Sequence, residues 1–288
     1  MSVVRRYRVS KTYSLDLLFY PSFALPLISI HDKGFKAVKD HGICKGLVIR
    51  VLSEDMYEVS HDNLYCVDYA RFLLGLWFDP SEHVNRASHT FREIVDKLGR
   101  LFSSYGIAVS PQDDIWIFIS IFLSQNTDYH RNTVPWVRRL LQAYNNPESI
   151  ISEPMEKLFS LVGNNYQIKR LPEALKCYIE VRDRILKTRD ARELLNCKWI
   201  GPKTYYAYRL HVLLDIESAP IDINLRRYLA GELRLKDLRP PDKRFCSKYS
   251  CNECYLRNQC IEYFLRENLR ELTGWFQTVV YIYRDLAN

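Results

Sequence analysis

Lys203 and Asp222 are the two side chains whose type and setting best suit chemistry. Pro202 fits the first position of a helix, because the N–H it lacks has no partner there. Lys203 then falls in the first turn of that helix. The positive end of the helix dipole disfavours a charged amine at that place, and partial burial acts in the same direction. An amine with a depressed pKa is a usable nucleophile at neutral pH; a solvated lysine is the plainer alternative. Asp222 follows the extended Ala219-Pro220-Ile221 and precedes a helical pattern, which suits an N-cap. A carboxylate there can also face the lysine across a pocket.

A second constellation is Cys246-x4-Cys251-x2-Cys254-x5-Cys260. Four thiols in one short loop, in a chain with no apolar signal core in MSVVRRYRVSKTYS, point to a metal centre and not to disulfides. A [4Fe–4S] cluster is expected in preference to zinc, with free or oxidised thiols as the remaining alternative. Cys44, Cys66, Cys177 and Cys197 stand alone in the sequence. Lys243, Arg244, Lys248 and Arg257 flank the four-cysteine loop and could contact phosphates, or simply form a solvated basic rim.

Elements must hold these groups in place. Short apolar stretches (15–20, 23–30, 46–52, 56–67), punctuated by Gly, Pro, Asp and Asn, read as an antiparallel sheet. Helical spacing begins near residue 69 and is clear from 88 to 102. Further helices are expected at 112–124, 130–144, 155–161, 171–187, 190–196, 202–214, 224–234 and 261–285. The chain is thus mostly α with a small N-terminal antiparallel β region. Its divisions are 1–68 (β), 69–110 (helices packing on the C-terminal lobe), 111–225 (helical domain) and 226–288 (C-terminal helices with the cysteine loop). Residues 191–214 form two helices around Lys198-Trp199-Ile200-Gly201. The backbone N–H groups of such a hairpin converge on one spot, a natural phosphate site.

The 288 residues carry 41 Lys and Arg against 34 Asp and Glu, a net charge of +7, which leans toward an anionic partner such as nucleic acid. Hydrophobic residues at 47% and charged residues at 26% exclude a disordered chain. No apolar run reaches the ~18 residues of a membrane span. The protein is expected to be intracellular, off the membrane, and a monomer.

Ile200-Gly201-Pro202-Lys203-Thr204 and Ile221-Asp222-Ile223-Asn224 resemble the signature of the helix-hairpin-helix DNA glycosylases with a Gly-Pro-Asp catalytic region. Their pattern runs roughly Leu-Pro-Gly-Val-Gly-x-Lys-Thr-Ala, then Val-Asp-x-His. The resemblance covers about residues 70–265. It implies a two-lobed helical fold with a cleft between the lobes, acting on double-stranded DNA that contains a damaged base. Lys203 would be the Schiff-base lysine and Asp222 the catalytic aspartate of a glycosylase with AP lyase activity. Phe122-Leu123-Ser124-Gln125-Asn126-Thr127-Asp128 resembles the segment whose glutamine fills the gap left by a flipped base, which implies that role for Gln125. Gly163-Asn164-Asn165-Tyr166-Gln167 resembles a segment of 8-oxoguanine glycosylases and implies Tyr166 as a wedge. Ile200, Gly201, Asn224, Lys248 and Arg257 complete the implied DNA contacts. The last two cysteine gaps match the iron–sulfur loop of endonuclease III, although the first gap is shorter here. Arg71-Phe72-Leu73-Leu74-Gly75-Leu76-Trp77-Phe78-Asp79-Pro80 resembles the stretch after the N-terminal sheet of 8-oxoguanine and alkylated-base glycosylases.

Two departures stand out. Trp199 replaces the first hairpin glycine, so a turn of different shape is expected, since positive φ is costly for a bulky residue. Asn224 replaces the histidine after the aspartate. The alternatives to a lyase are a glycosylase in which Asp222 activates water, a glycosylase acting on a normal or modified base, and a non-catalytic DNA-binding module with a structural metal.

Overall fold

A computed structural model describes residues 2–286. Five strands, β1 (Val3–Arg8), β2 (Ile28–His31), β3 (Lys36–Lys39), β4 (Val48–Ser53) and β5 (Met56–His61), form one antiparallel sheet in the order β1-β5-β4-β3-β2. Ala37, Ile49, Tyr57 and Val59 turn inward and are buried, and the alternation that strands impose leaves their neighbours toward solvent.

The N-terminal apolar stretches are not all strands. Residues 15–20, expected in the sheet, form the short helix α1 (Leu15–Phe19), because Ser14 caps it by accepting from Leu17 N at 3.3 Å. The stretch 56–67 is half strand and half helix. Asn63 accepts from Tyr65 N at 2.9 Å and opens α2 (Leu64–Leu73).

The helical part follows as α3 (His89–Leu101), α4 (Asp114–Leu123), α5 (Val134–Ala143), α6 (Met155–Val162), α7 (Tyr166–Thr188), α8 (Pro202–His211), α9 (Ile223–Glu232), α10 (Lys243–Cys246), α11 (Ile261–Leu269) and α12 (Thr273–Leu286). Helix α4 is apolar on all sides and buried on nearly all of them, the centre around which α5, α7 and α8 pack. Lys39 and Asp113 form a buried ion pair of 2.7 Å that ties β3 to the start of α4. Arg182 of α7 donates to Asp114 at 2.9 Å and ties the same helix start to the other side.

Three helical boundaries depart from the sequence pattern. The helix expected from residue 130 starts at Val134, after a wide turn over Tyr129–Thr133 that Asp128 caps through Arg131 N at 2.8 Å. Helix α7 begins at Tyr166, not 171, because Asn165 accepts from Ile168 N at 2.9 Å. The stretch 261–285 is two helices, broken at Arg270 with φ 51°. Gly274 just beyond the break packs against the 216 loop, donating to Ile216 O at 2.8 Å. A Cβ there would stand 2.6 Å from Leu210 Cδ1.

The four cysteines that stand alone in the sequence are paired in space. Cys44 is bonded to Cys66 and Cys177 to Cys197. The first bond joins the β3–β4 connection to α2, and the second joins α7 to the hairpin. No helix among the described residues is long and apolar enough to cross a membrane.

Candidate active site

The segment before Lys203 is a single helical turn (Arg192–Asn196), then Cys197 to Gly201, then α8. Trp199 lies at φ 67°, so the turn keeps a left-handed residue where a change of shape was expected. The contacts of the indole explain how. The Arg170 guanidinium stacks on its ring at 3.9 Å, and its Nε1 donates to Glu173 at 2.6 Å. These hold a backbone conformation that costs an L-residue about 1–2 kcal/mol.

Ile200 is buried beneath the turn, and its N–H is spent on Cys197 O at 3.4 Å. Gly201 is the N-cap of α8, and nothing lies within 4 Å of where its Cβ would sit. Gly201, Pro202, Lys203 and Thr204 at the start of α8 line a smaller pocket, and a helix start is a favourable place for an anion.

Lys203 is half-buried and its Nζ donates to Ser124 O at 3.2 Å. Burial pulls its pKa below the ordinary lysine range, and the nearby charge of Asp222 opposes that pull only in part. Asp222 caps α9, accepting from Leu225 N at 2.7 Å through one oxygen and from Gln277 Nε2 at 3.4 Å through the other. Burial raises its pKa, with the Leu225 N–H and then the Lys203 ammonium acting against the rise. The N-cap and the group facing the lysine are thus the same carboxylate. Both side chains line one cleft of about 490 Å³. Its lining comes from the 20–23 segment, Ser124, residues 127–131, α8, residues 220–224 and α12.

Gln125 lines the smaller pocket with Gly201, Lys203 and Thr204, and Tyr166 lies against Gln125. Tyr166 is 37% exposed and its hydroxyl donates to Gln125 O at 3.1 Å. The Gln125 amide reaches the hairpin, donating to Thr204 Oγ1 at 3.2 Å. Asn126 beside it is exposed, at φ 48°. Asn224 lines the cleft and its carbonyl accepts from Arg284 at 2.9 Å. Lys248 is exposed on the cysteine loop. Arg257 is exposed too, but bends back to donate to Asn252 O, and Lys243 donates to Cys197 O at 2.7 Å. Of the flanking cations, Lys243 is therefore a tie between the cysteine loop and the hairpin.

Sequence reasoning missed Gln277, Tyr281 and His211, all of which line the cleft. A lone glutamine in the apolar run of α12 and a lone histidine in that of α8 were the available signals.

Cys246, Cys251, Cys254 and Cys260 all line a separate cavity of about 280 Å³, among Arg192, Arg209, Arg257 and Arg266. Among the described residues no three His, Cys, Asp or Glu side chains are gathered to hold a single ion. Four thiols around a cavity, with guanidinium groups to balance thiolate charge, suit a group wider than one ion.

No model of a known protein family matches this sequence, and no curated protein matches it. Solved structures do. MBOgg1 in complex with a low-affinity DNA ligand aligns with a TM-score of 0.70 at 14% identity, covering 100% of this chain and 96% of that one. The Clostridium acetobutylicum 8-oxoguanine glycosylase/lyase, in complex with double-stranded DNA containing cytosine opposite 8-oxoguanine, aligns with a TM-score of 0.70 at 13% identity over 99% of this chain and 98% of that one. The 3-methyladenine DNA glycosylase of Archaeoglobus fulgidus aligns with a TM-score of 0.69 at 14% identity over 99% of both chains. The chain has the DNA glycosylase fold. Within that fold the cleft with Lys203 and Asp222 is reached from the first turn of α8, the helix that follows the hairpin.

Proposed function

We propose that the protein is a base-excision-repair DNA glycosylase with AP lyase activity, acting on double-stranded DNA that contains a damaged base. The observation that carries this reading is a lysine amine of lowered pKa sharing one cleft with a carboxylate, in the first turn of the helix that follows the hairpin. The glycosidic carbon is shielded inside a duplex, so the base must first leave the stack, at a cost of a few kcal/mol. Gln125 and Tyr166 fill the space it leaves. The N-terminus of α8 and Gly201 hold a backbone phosphate, and Asn224, Lys248 and Arg257 add polar and cationic contacts.

Asp222 stabilises positive charge on the sugar as the bond to the base breaks. The Lys203 nitrogen forms its bond to the sugar C1′, the base departs with the bonding pair, and the proton that the amine gives up goes to the departing base. After ring opening the product is a Schiff base. Loss of a C2′ proton then breaks the C3′–O bond and cuts the strand.

Cys246, Cys251, Cys254 and Cys260 are proposed to hold a [4Fe–4S] cluster. Its contribution is structural, cross-linking a loop that touches the hairpin through Lys243.

Borohydride reduction during reaction should trap a covalent protein–DNA adduct in the wild type and none in Lys203→Gln. An adduct of wild-type yield in that variant would falsify the lysine assignment. Nicking absent from the wild type, with base release present, would favour Asp222-activated water instead.

A further inference from the structure

We propose that Arg170 grips a backbone phosphate of the lesion strand, other than the one at the start of α8. The proposal goes beyond the glycosylase reading and rests on the duplex DNA partner of that reading. Arg170 stands one turn after Tyr166 on α7, so the two side chains share a helix face. Its guanidinium lies over the Tyr166 ring at 4.9 Å and over the Trp199 ring at 3.9 Å. It therefore bridges the tyrosine that fills the gap and the turn that leads into α8. Trp199 stands where the resembling glycosylase pattern has glycine, so the ring that fixes Arg170 is a feature of this chain.

The charge of Arg170 is unspent. Glu173, the carboxylate beside Trp199, is taken up by Trp199 Nε1 at 2.6 Å and Lys198 Nζ at 3.1 Å. Among the described residues no acceptor meets the Arg170 N–H groups. Arg182 and Arg184, further along the same helix, are each closed on a carboxylate, Asp114 and Glu193. Lys169, exposed next to Arg170, keeps the surroundings positive.

Stacking engages the flat face of a guanidinium and leaves the N–H donors in its plane free. Contact with two rings also restrains the side chain, so less freedom is lost when a ligand binds. A restrained planar fork without an anion of its own matches two oxygens of a phosphodiester. The hairpin and Lys203 engage the strand that carries the lesion. Trp199 belongs to that hairpin, which puts the phosphate on the same strand.

The test measures affinity for a duplex with one uncleavable tetrahydrofuran abasic analogue, across a series of KCl concentrations. Wild type is compared with Arg170→Met and with Lys187→Met, each checked for a cooperative thermal transition. Lys187 is exposed on the same helix, about 25 Å further along its axis. Arg170→Met should bind about 10–100-fold more weakly. Its slope of log affinity against log salt should flatten by about 0.9, the share of one phosphate. Lys187→Met should keep the wild-type slope. A second series places a single neutral methylphosphonate at successive positions of either strand. Wild type should lose affinity at one lesion-strand position where Arg170→Met loses none. An unchanged slope in Arg170→Met overturns the proposal, because a residue that only supports Trp199 would weaken binding without changing the slope. An equal flattening in Lys187→Met overturns it too, as does a methylphosphonate loss that Arg170→Met retains at every lesion-strand position. Should Arg170→Met not fold, Arg170→Lys, which keeps the charge and lacks the fork, takes its place in the second series. The loss at one lesion-strand position should then shrink, and an undiminished loss throughout overturns the proposal. Wild type that does not bind the duplex removes the glycosylase reading and this contact with it.

Discussion

At the scale of single residues, the cleft joins two groups whose charged forms burial disfavours, and each partly restores the other. Burial lowers the pKa of Lys203, and the Asp222 charge raises it again in part. The reactive form of the lysine is the neutral amine, so abasic-site nicking should rise with pH. It should level off at a midpoint below the ~10.4 of a free lysine. Replacing Asp222 with Asn removes the charge that supports the ammonium. The midpoint should then move further toward acid. Release of a damaged base should fall about 10²–10³-fold, because the group proposed to stabilise charge on the sugar as the base departs is gone. Rate–pH profiles of both proteins on an abasic duplex give the midpoint, and single-turnover release from a damaged duplex gives the rate. A midpoint that stays put, or moves toward base, would show that the two side chains do not sense each other. The types of both residues and their helix-start positions were legible in the sequence. Gln277, which completes the hydrogen bonding of Asp222, was not, since it comes from α12 and meets the site only through tertiary packing.

At the scale of elements, the hairpin is where local preference and tertiary contact disagree. Sequence reasoning expects Trp199 to change the turn, because a tryptophan at positive φ is strained. The structure keeps φ at 67° and holds the residue through Arg170 and Glu173, both from α7. Those partners lie more than twenty residues upstream, beyond the reach of any local rule. A graded consequence follows for variants. Trp199→Gly loses the stack and the hydrogen bond but relieves the strain. Trp199→Ala loses the same contacts and keeps the strain, so it should be the less stable of the two by about 1 kcal/mol in urea unfolding. Alanine equal to or better than glycine would mean that the left-handed conformation is not held in solution. Caps explain the other misplaced boundaries. Asn63, Asn165 and Asp128 each begin a turn or helix with a side-chain bond that hydrophobic spacing does not encode. The kink at Arg270 has a similar origin, because α12 is placed by the approach of Gly274 to Ile216.

At the scale of the whole molecule, the order of sheet and helices was readable from the change in hydrophobic period near residue 69. The cross-links were not, because spacing alone does not pair Cys44 with Cys66 or Cys177 with Cys197. Each bond closes a loop, with sequence separations of 22 and 20 residues, so each should contribute about 3 kcal/mol by restricting the unfolded chain. Cys177→Ser with Cys197→Ser should lower stability by roughly that amount, read from the denaturation midpoint, and an unchanged midpoint would place the bond outside the cooperative unit. A cluster in the four-cysteine loop, as proposed, would add a further cross-link of a different kind. The loop touches the rest of the molecule where Lys243 donates to Cys197 O, where the Tyr206 hydroxyl of α8 meets Cys251 Sγ at 3.4 Å, and where Arg239 pairs with Gln259 and Ile261. The loop is therefore braced against the hairpin but contributes no side chain to the Lys203 cleft. Purified protein should carry iron and sulfide at about four each per chain. Cys251→Ala should lose them, melt earlier and bind duplex DNA more weakly. The midpoint of its rate–pH profile on an abasic site should stay at the wild-type value, because the lysine and aspartate keep their surroundings. Zinc in place of iron would correct the cofactor and leave the bracing role intact. A metal-free variant with wild-type stability and DNA affinity would remove that role, and the loop would then be only a basic rim.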